Sequence, residues 1–202
     1  MRRIGWFGGS FNPPHVGHLI LAEMARSERS LDEVMFMPAR NPPHKPAQGL
    51  APARHRCRMV ELAVEDNDAF SVSRHELERE GPSYTLRTAR ELTEVLSADT
   101  QLNLILGADS IHDLTEWWKA RELLAEMDFI VLKRPGYPLG ELSHIANEFG
   151  AGAVEKLRDS IVEAPLLDIS STAVRERVGA GRSIRYLVPD AVRRYIHRQD
   201  IY

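Results

Sequence analysis

Short apolar runs alternate with amphipathic stretches along the first two thirds of the chain. The apolar runs end at glycine, proline or charged positions, as buried strands do where they meet a loop. The stretches between them have apolar residues at helical spacing. This pattern predicts strands over 2–7, 33–38, 70–73, 101–106 and 129–132, and helices over 17–28, 52–65 and 83–96, the last with Ser83 as its N-cap.

The alternation of strands and helices predicts an α/β fold, a Rossmann-like doubly wound parallel sheet covered by helices on both faces. Residues 170–202 are predicted to form two further helices separated by Pro189, whereas residues 138–159 show only modest helical periodicity. We expect a single domain, 1–202, in which residues 170–202 form a small helical part. Ligands of such sheets bind at the carboxyl ends of the strands.

Composition narrows the classes of function. The chain has 202 residues, of which 43% are hydrophobic and 27% charged, and its formal net charge is −3. This charge argues against a nucleic-acid binder with a basic surface. No apolar run approaches the length of a membrane span, so we expect a cytoplasmic protein without a membrane partner. The one cysteine, Cys57, is predicted to be a small core residue, and the sequence leaves a homo-oligomer open.

The segment GGSFNPPHVGHL, residues 8–19, follows the first predicted strand. We expect Gly8 and Gly9 to allow a sharp turn and a close approach of backbone amides to an anion. His15 lies just before the predicted helix and His18 lies within it, so the loop can bring both imidazoles to one point. Two histidines are too few for a zinc site, and no further ligand completes one. We therefore favour phosphate binding over zinc and over two incidental histidines at a helix start.

A second cluster, ISSTAVRER, lies at residues 169–177. Ser170 and Thr172 stand at a predicted helix start, where free amides favour anions. Arg175 follows Thr172 by three residues and therefore projects from the same helix face. The alternative is an ordinary N-cap followed by a solvated helix. Together with the first segment, this cluster indicates a second part of a phosphate site.

Several other residues have both a candidate role and a structural alternative. Trp117 is suited to stack on a flat aromatic ring, or it is a core residue. Lys45 follows a proline-rich loop and can reach a phosphate, or it is solvated. Asp109 follows a strand end and suits a ribose hydroxyl; the structural alternative is a helix N-cap, and the two roles can coexist. Tyr84 and Thr85 stand at a predicted helix start, where free amides suit a pyridine carboxylate.

These segments resemble the signatures of a known superfamily. HVGH at 15–18 is similar to the H-x-G-H signature of the nucleotidyltransferases, and ISSTAVR at 169–175 is similar to their I-S-x-(S/T)-x-x-R signature. Between them PPHK, PSYT, LGADS, EWW and KRPGYP occur in this order. Together the segments resemble the bacterial nicotinate-nucleotide adenylyltransferases over essentially the whole chain. One departure is Asn12, where many members have aspartate.

The resemblance implies an enzyme of NAD biosynthesis that joins nicotinate mononucleotide to the AMP moiety of ATP, giving deamido-NAD and pyrophosphate. ATP and nicotinate mononucleotide are then its partners, and Mg²⁺ arrives with ATP rather than in a protein metal site. The alternatives are another nucleotidyltransferase, such as a pantetheine-phosphate adenylyltransferase, and a nucleotide sensor without catalysis. The implied catalytic residues are His15, His18 and Arg175. The implied ATP-binding residues are Gly8, Gly9, Ser10, Phe11, Gly107, Arg134, Ser170 and Thr172. The implied nicotinate mononucleotide-binding residues are Asn12, Lys45, Ser83, Tyr84, Thr85, Asp109, Trp117 and Trp118.

Overall fold

One parallel sheet organises the fold. The computed structural model describes residues 1–42, 49–133, 136–137, 142–165 and 167–202. The strands in these residues are β1 (Arg2–Gly9), β2 (Glu33–Pro38), β3 (Phe70–Val72), β4 (Thr100–Gly107), β5 (Asp128–Leu132) and β6 (Ile161–Val162). They pair in the order β3-β2-β1-β4-β5-β6, and every pair is parallel. The predicted Rossmann-like sheet is therefore confirmed.

Helices connect the strands and cover both faces of the sheet. They are α1 (Val16–Glu28), α2 (Ala53–Val64), α3 (His75–Glu78), α4 (Thr85–Val95), α5 (Ala108–His112), α6 (Ala120–Glu126), α7 (Ser143–Phe149), α8 (Ala151–Asp159), α9 (Ser171–Gly179) and α10 (Asp190–Gln199). Within the described part of the chain, no helix has both the length and the apolar character that a membrane span requires.

The strands and long helices predicted from the apolar pattern are confirmed, with ends that differ by one or two residues. The pattern missed β6, α3 and the four helices α5–α8, all of which are short. The predicted cap of α4 is wrong, because Tyr84 is the N-cap residue. The Ser83 hydroxyl instead accepts a hydrogen bond from the amide of Asn41 at 3.3 Å.

The strands β1, β2, β4 and β5 are buried on both faces, and their alternating side chains contribute to two cores. Trp6 and Leu104 face one core with α4, α6, α7 and α8. Phe7 and Ile105 point to the opposite face, where they pack with α1 and α2. This two-sided burial explains why the strands read as continuous apolar runs rather than as alternating ones.

The helices of residues 170–202 pack on α2 rather than on the sheet. Met59 of α2 shares a third core with Val174, Val192 and Ile196. Pro189 is the N-cap residue of α10, which confirms the predicted break between the two helices. In the same helix α2, Cys57 is 4% exposed, as predicted for a core residue, and burial beside Glu61 raises the pKa of its thiol.

Candidate active site

The loop after β1 begins later than the sequence predicts. β1 continues through Gly8 and Gly9, and the chain turns at Phe11, whose φ is 44°. The predicted turn at Gly8-Gly9 is therefore wrong. A Cβ on Gly9 would lie 3.1 Å from Cζ of Phe11, so the bare backbone of Gly9 makes room for that buried ring.

The two histidines lie against each other at the start of α1. His15 is the N-cap residue, and its amide donates to Nδ1 of His18 at 3.1 Å. Their ring centroids are 3.7 Å apart with the planes inclined by 29°, which confirms that the loop brings the imidazoles together. Because Nδ1 of His18 accepts a hydrogen bond, a neutral His18 carries its proton on Nε2 and can donate from there.

Gly17 explains the residue type between these histidines. A Cβ on Gly17 would lie 3.0 Å from Nδ1 and 3.1 Å from Cε1 of His15. The His15 ring is thus packed directly over the α-carbon of Gly17. A side chain there would force the ring to shift against His18 by a few tenths of an ångström.

The second motif is bonded to the first. Ser170 caps α9 by accepting from the amide of Ala173 at 3.1 Å, and the Ser171 hydroxyl donates to the carbonyl of Pro13 at 2.8 Å. Arg175 donates through Nη2 to the Thr172 hydroxyl at 3.2 Å and through Nη1 to the carbonyl of Asn12 at 2.9 Å. Arg175 and Thr172 therefore share one face of α9, as predicted.

Both motifs line one cavity of about 380 Å³ at the carboxyl ends of β1 and β4. Such an edge is where ligands bind in doubly wound sheets. The predicted site residues that line the cavity are Gly8, Gly9, Ser10, Phe11, Asn12, His15, His18, Gly107, Asp109, Ser170, Thr172 and Arg175. The structure therefore brings together most of the predicted catalytic and ATP-binding residues.

Gly107 and Asp109 form the wall of the cavity that belongs to β4. Gly107 is the N-cap residue of α5 and Asp109 lies in its first turn, so the interpretation of Asp109 as the helix cap is wrong. A Cβ on Gly107 would collide with Oδ1 of Asp109. The Asp109 carboxylate therefore lies over the α-carbon of Gly107, and a side chain at position 107 would require that carboxylate to move.

A second group of predicted residues lies outside the lining of this cavity. Tyr84 stacks on Trp118 with centroids 5.0 Å apart and planes inclined by 22°, next to Thr85, the first residue of α4. Trp118 is 42% exposed, whereas Trp117 packs against the core. The structure thus presents the Trp118 ring to solvent, and the nicotinate-binding roles of Ser83, Tyr84, Thr85, Trp117 and Trp118 stay predictions.

Lys45 and Arg134 lie outside the described residues, so their roles also stay predictions. Among the described residues, the cavity has a basic lining residue that the site prediction omitted. Lys133, directly after β5, lines the cavity and forms an ion pair with Glu163. The sequence signal for Lys133 was its position directly after a predicted strand. No group of three or more His, Cys, Asp or Glu side chains in the described ranges is arranged to hold a metal ion.

Sequence reasoning also missed Arg56, which is 0% exposed. Its guanidinium donates to the carbonyls of Ser10 at 2.8 Å, Ala51 at 2.9 Å and Arg40 at 3.2 Å. Arg56 thus joins the loop after β1 to both ends of the segment between β2 and α2, at Arg40 and Ala51. The signal was available, because Arg56 precedes Met59 and Val60 at helical spacing and so occupies the apolar face of α2.

Comparison with known proteins identifies the family. The family described as cytidylyltransferase-like matches residues 6–177. A protein of Salinibacter ruber named probable nicotinate-nucleotide adenylyltransferase is 46% identical over 98% of this chain and 97% of its own length. The chain belongs to the nicotinate-nucleotide adenylyltransferase family. A protein of Thermoanaerobacter, also named probable nicotinate-nucleotide adenylyltransferase, is 42% identical over 99% of this chain and 94% of its own length.

Solved structures agree on the fold of the adenylyltransferase. The nicotinic acid mononucleotide adenylyltransferase of Plasmodium falciparum, complexed with NaAD, superposes with a TM-score of 0.75 at 20% identity, covering 100% of this chain and 98% of its own. The same enzyme complexed with APC gives a TM-score of 0.73 at 20% identity, with the same coverage. The family and the nucleotidyltransferase class predicted from the sequence are confirmed.

Proposed function

We propose that this protein transfers the adenylyl group of ATP to nicotinate mononucleotide, giving deamido-NAD and pyrophosphate in NAD biosynthesis. The observation that carries the proposal is the single cavity lined by both signature motifs, which are bonded to each other. Family membership supports the same reaction. Neither a pantetheine-phosphate acceptor nor a sensor role is favoured by a feature of the described site.

The cavity at the carboxyl ends of β1 and β4 is the ATP site in this proposal. His15 and His18 bind the phosphates and stabilise the negative charge that grows on the transferring group. Arg175, with the hydroxyls of Ser170 and Thr172, holds the β- and γ-phosphates as they leave. Gly8 and Gly9, at the end of β1, line the same cavity and bring the strand's backbone to the nucleotide.

Adenylyl transfer at this site uses no protein nucleophile. The 5′-phosphate of nicotinate mononucleotide is an anion and attacks the α-phosphorus of ATP in line. A bond forms between its oxygen and that phosphorus, while the bond from the α-phosphorus to the pyrophosphate oxygen breaks. The protein contributes by positioning the two substrates and by stabilising charge.

Mg²⁺ fits this site as a companion of ATP. Asp109 is the carboxylate among the described lining residues, which also include the hydroxyls of Ser10, Ser170 and Thr172. One carboxylate with neutral oxygens suits a hard cation that keeps its remaining bonds to phosphate and water. Asp109 would hold the ion, whose chemical contribution would be neutralisation of charge on the phosphates.

The acceptor site in this proposal is the start of α4 together with the Tyr84–Trp118 pair. The exposed Trp118 ring offers a surface on which a pyridine ring can stack. The first amides of α4, from Thr85 onward, lack partners within the helix and point toward its N-terminal end. A pyridine carboxylate therefore meets both an aromatic face and backbone donors.

Pyrophosphate release from ATP with a panel of acceptors tests the proposal. Release should require nicotinate mononucleotide, and one dinucleotide should form for each pyrophosphate. Turnover with phosphopantetheine in its place would support the other adenylyltransferase. Tight ATP binding without turnover on any acceptor would support the sensor.

A further inference from the structure

Tyr202 contacts both the third core and the first motif. Its hydroxyl donates to Oδ1 of Asn12 at 2.6 Å, and its ring packs against the core that α9 and α10 share with α2. The backbone of Tyr202 has a φ of 80°, in a region that residues other than glycine rarely adopt. Such a conformation persists where surrounding contacts determine it.

The side chain of Asn12 makes hydrogen bonds to other parts of the protein. It is 4% exposed, and Nδ2 donates to the carbonyl of Gly49 at 2.8 Å. Its Oδ1 accepts from the amide of Ala51 at 3.0 Å as well as from Tyr202. Because the backbone amide of Ala51 can only donate, the atom of the Asn12 side chain that faces Ala51 and Tyr202 must be the oxygen and not the nitrogen.

The backbone of Asn12 connects this arrangement to the ATP site. Its carbonyl accepts from Nη1 of Arg175 at 2.9 Å, so hydrogen bonds run from Tyr202 through Asn12 to Arg175. Burial raises the pKa of Tyr202, against the opposing effect of the Arg175 and Arg56 guanidinium groups. The phenol therefore stays protonated and available as a donor at neutral pH.

We propose that Tyr202 is a positioning residue for Arg175. By fixing Asn12, Tyr202 holds the carbonyl that orients the guanidinium toward the phosphates in the cavity. A shift of Asn12 would leave Arg175 with its bond to Thr172 and without a fixed second anchor. The inference rests on the proposed function, because it takes Arg175 as the group that meets the departing pyrophosphate.

Tyr202→Phe removes the hydroxyl and keeps the ring in the core. Without this anchor, kcat/KM for ATP should fall roughly three- to tenfold, the usual weight of one hydrogen bond, while KM for nicotinate mononucleotide stays unchanged. Tyr195→Phe is the matched control: Tyr195 packs against the same core, and its hydroxyl lies 2.9 Å from Nδ1 of His55. Tyr195→Phe should leave both parameters at the wild-type level once activity is normalised to folded protein.

A double-mutant cycle with Arg175→Lys then tests whether Tyr202 acts through Arg175. Lysine keeps the charge at position 175 but cannot reproduce the two-point fork. In the Arg175→Lys background, Tyr202→Phe should therefore have little further effect on kcat/KM for ATP. Additive losses, or equal losses in Tyr202→Phe and Tyr195→Phe, would overturn the inference.

The cycle separates failure of this inference from failure of the proposed function. If Arg175→Lys impairs ATP use and Tyr202→Phe does not, the positioning role is wrong and the ATP site stands. If Arg175→Lys itself leaves ATP use unchanged, Arg175 does not meet the pyrophosphate, and both the proposed role of Arg175 and the inference fail.

Discussion

At the scale of single residues, the glycine at position 17 leaves room for the ring of His15. Alanine has the higher helix propensity, so Gly17→Ala would ordinarily stabilise the first turn of α1 by up to about 1 kcal/mol. Here the new methyl group would lie 3.0 Å from Nδ1 of His15. We expect the displaced ring to lower turnover by about tenfold or more, since small misplacements in an active site are costly, while the thermal midpoint changes little.

Gly152→Ala is the matched control for this substitution. Gly152 lies in α8, and a Cβ there would have nothing within 4 Å. It should keep wild-type turnover and an equal or higher thermal midpoint. Wild-type turnover in folded Gly17→Ala would show that the stacked position of His15 is not needed for the reaction.

His18 makes the more direct test of phosphate contact. Its Nδ1 accepts a hydrogen bond from the amide of His15 at 3.1 Å, so a neutral ring carries its proton on Nε2. Loss of one such donor from a site that stabilises developing charge costs on the order of a hundredfold in turnover. His18→Ala should show a loss of that size in steady-state kcat, whereas His197→Ala, an exposed histidine of α10, should show none.

At the scale of elements, the short helix α3 is tied to α4 by one carboxylate. Glu91 of α4 pairs with His75 at 2.7 Å and Arg87 at 2.9 Å, and it also pairs with Arg79. Burial alone would raise the pKa of Glu91, but these hydrogen bonds outweigh it and lower that pKa from 4.5 to about 2. These pairs hold α3 and the segment before Tyr84 against α4.

A lowered pKa in the folded state fixes the direction of the pH effect. The stabilisation by Glu91 is complete above the unfolded pKa of 4.5 and is lost as the pH falls toward about 2. Glu91→Gln should therefore unfold at a lower temperature than the wild type at pH 7, and the difference should shrink below pH 4.5. Thermal unfolding across pH measures this, with Glu94→Gln, exposed on the same helix, as the control; a difference that is constant with pH would contradict it.

The sequence predicted the elements with strong patterns and missed those without. β1, β2, β4 and β5 were found because both faces of the sheet are covered and their residues are continuously apolar. α5 and α6 were missed because a five- or seven-residue helix shows too few turns for a period to emerge. The Ser83 cap failed because its hydroxyl bonds a neighbouring loop, a tertiary contact that local sequence does not encode.

At the scale of the whole molecule, the closeness of the loops after β1 and β4 was predictable, whereas the hydrogen bonds that join the second motif to the loop after β1 were not. Parallel strands place their carboxyl ends at one edge, so the loops after β1 and β4 had to lie close together. The hydrogen bond from Arg175 to Asn12 and the buried position of Arg56 depend on how α9 and α2 pack against those loops. No periodicity reports such packing, which is why Arg56 and Tyr202 emerge only from the structure.

The whole arrangement also predicts a choice between two similar acceptors. A nicotinate carboxylate offers two acceptor oxygens, whereas nicotinamide presents an NH₂ donor at one of these positions. Backbone donors at the start of α4 would satisfy the carboxylate and oppose the amide. A donor left unpaired costs about 1–3 kcal/mol, or roughly ten- to a hundredfold in kcat/KM.

Measuring kcat/KM for nicotinate mononucleotide and for nicotinamide mononucleotide at saturating ATP tests this account most directly. Pyrophosphate release gives both values under identical conditions. We predict that the nicotinate compound is preferred by roughly ten- to a hundredfold, the range set by one unpaired donor. Equal values, or a preference for nicotinamide mononucleotide, would contradict the acceptor site at α4.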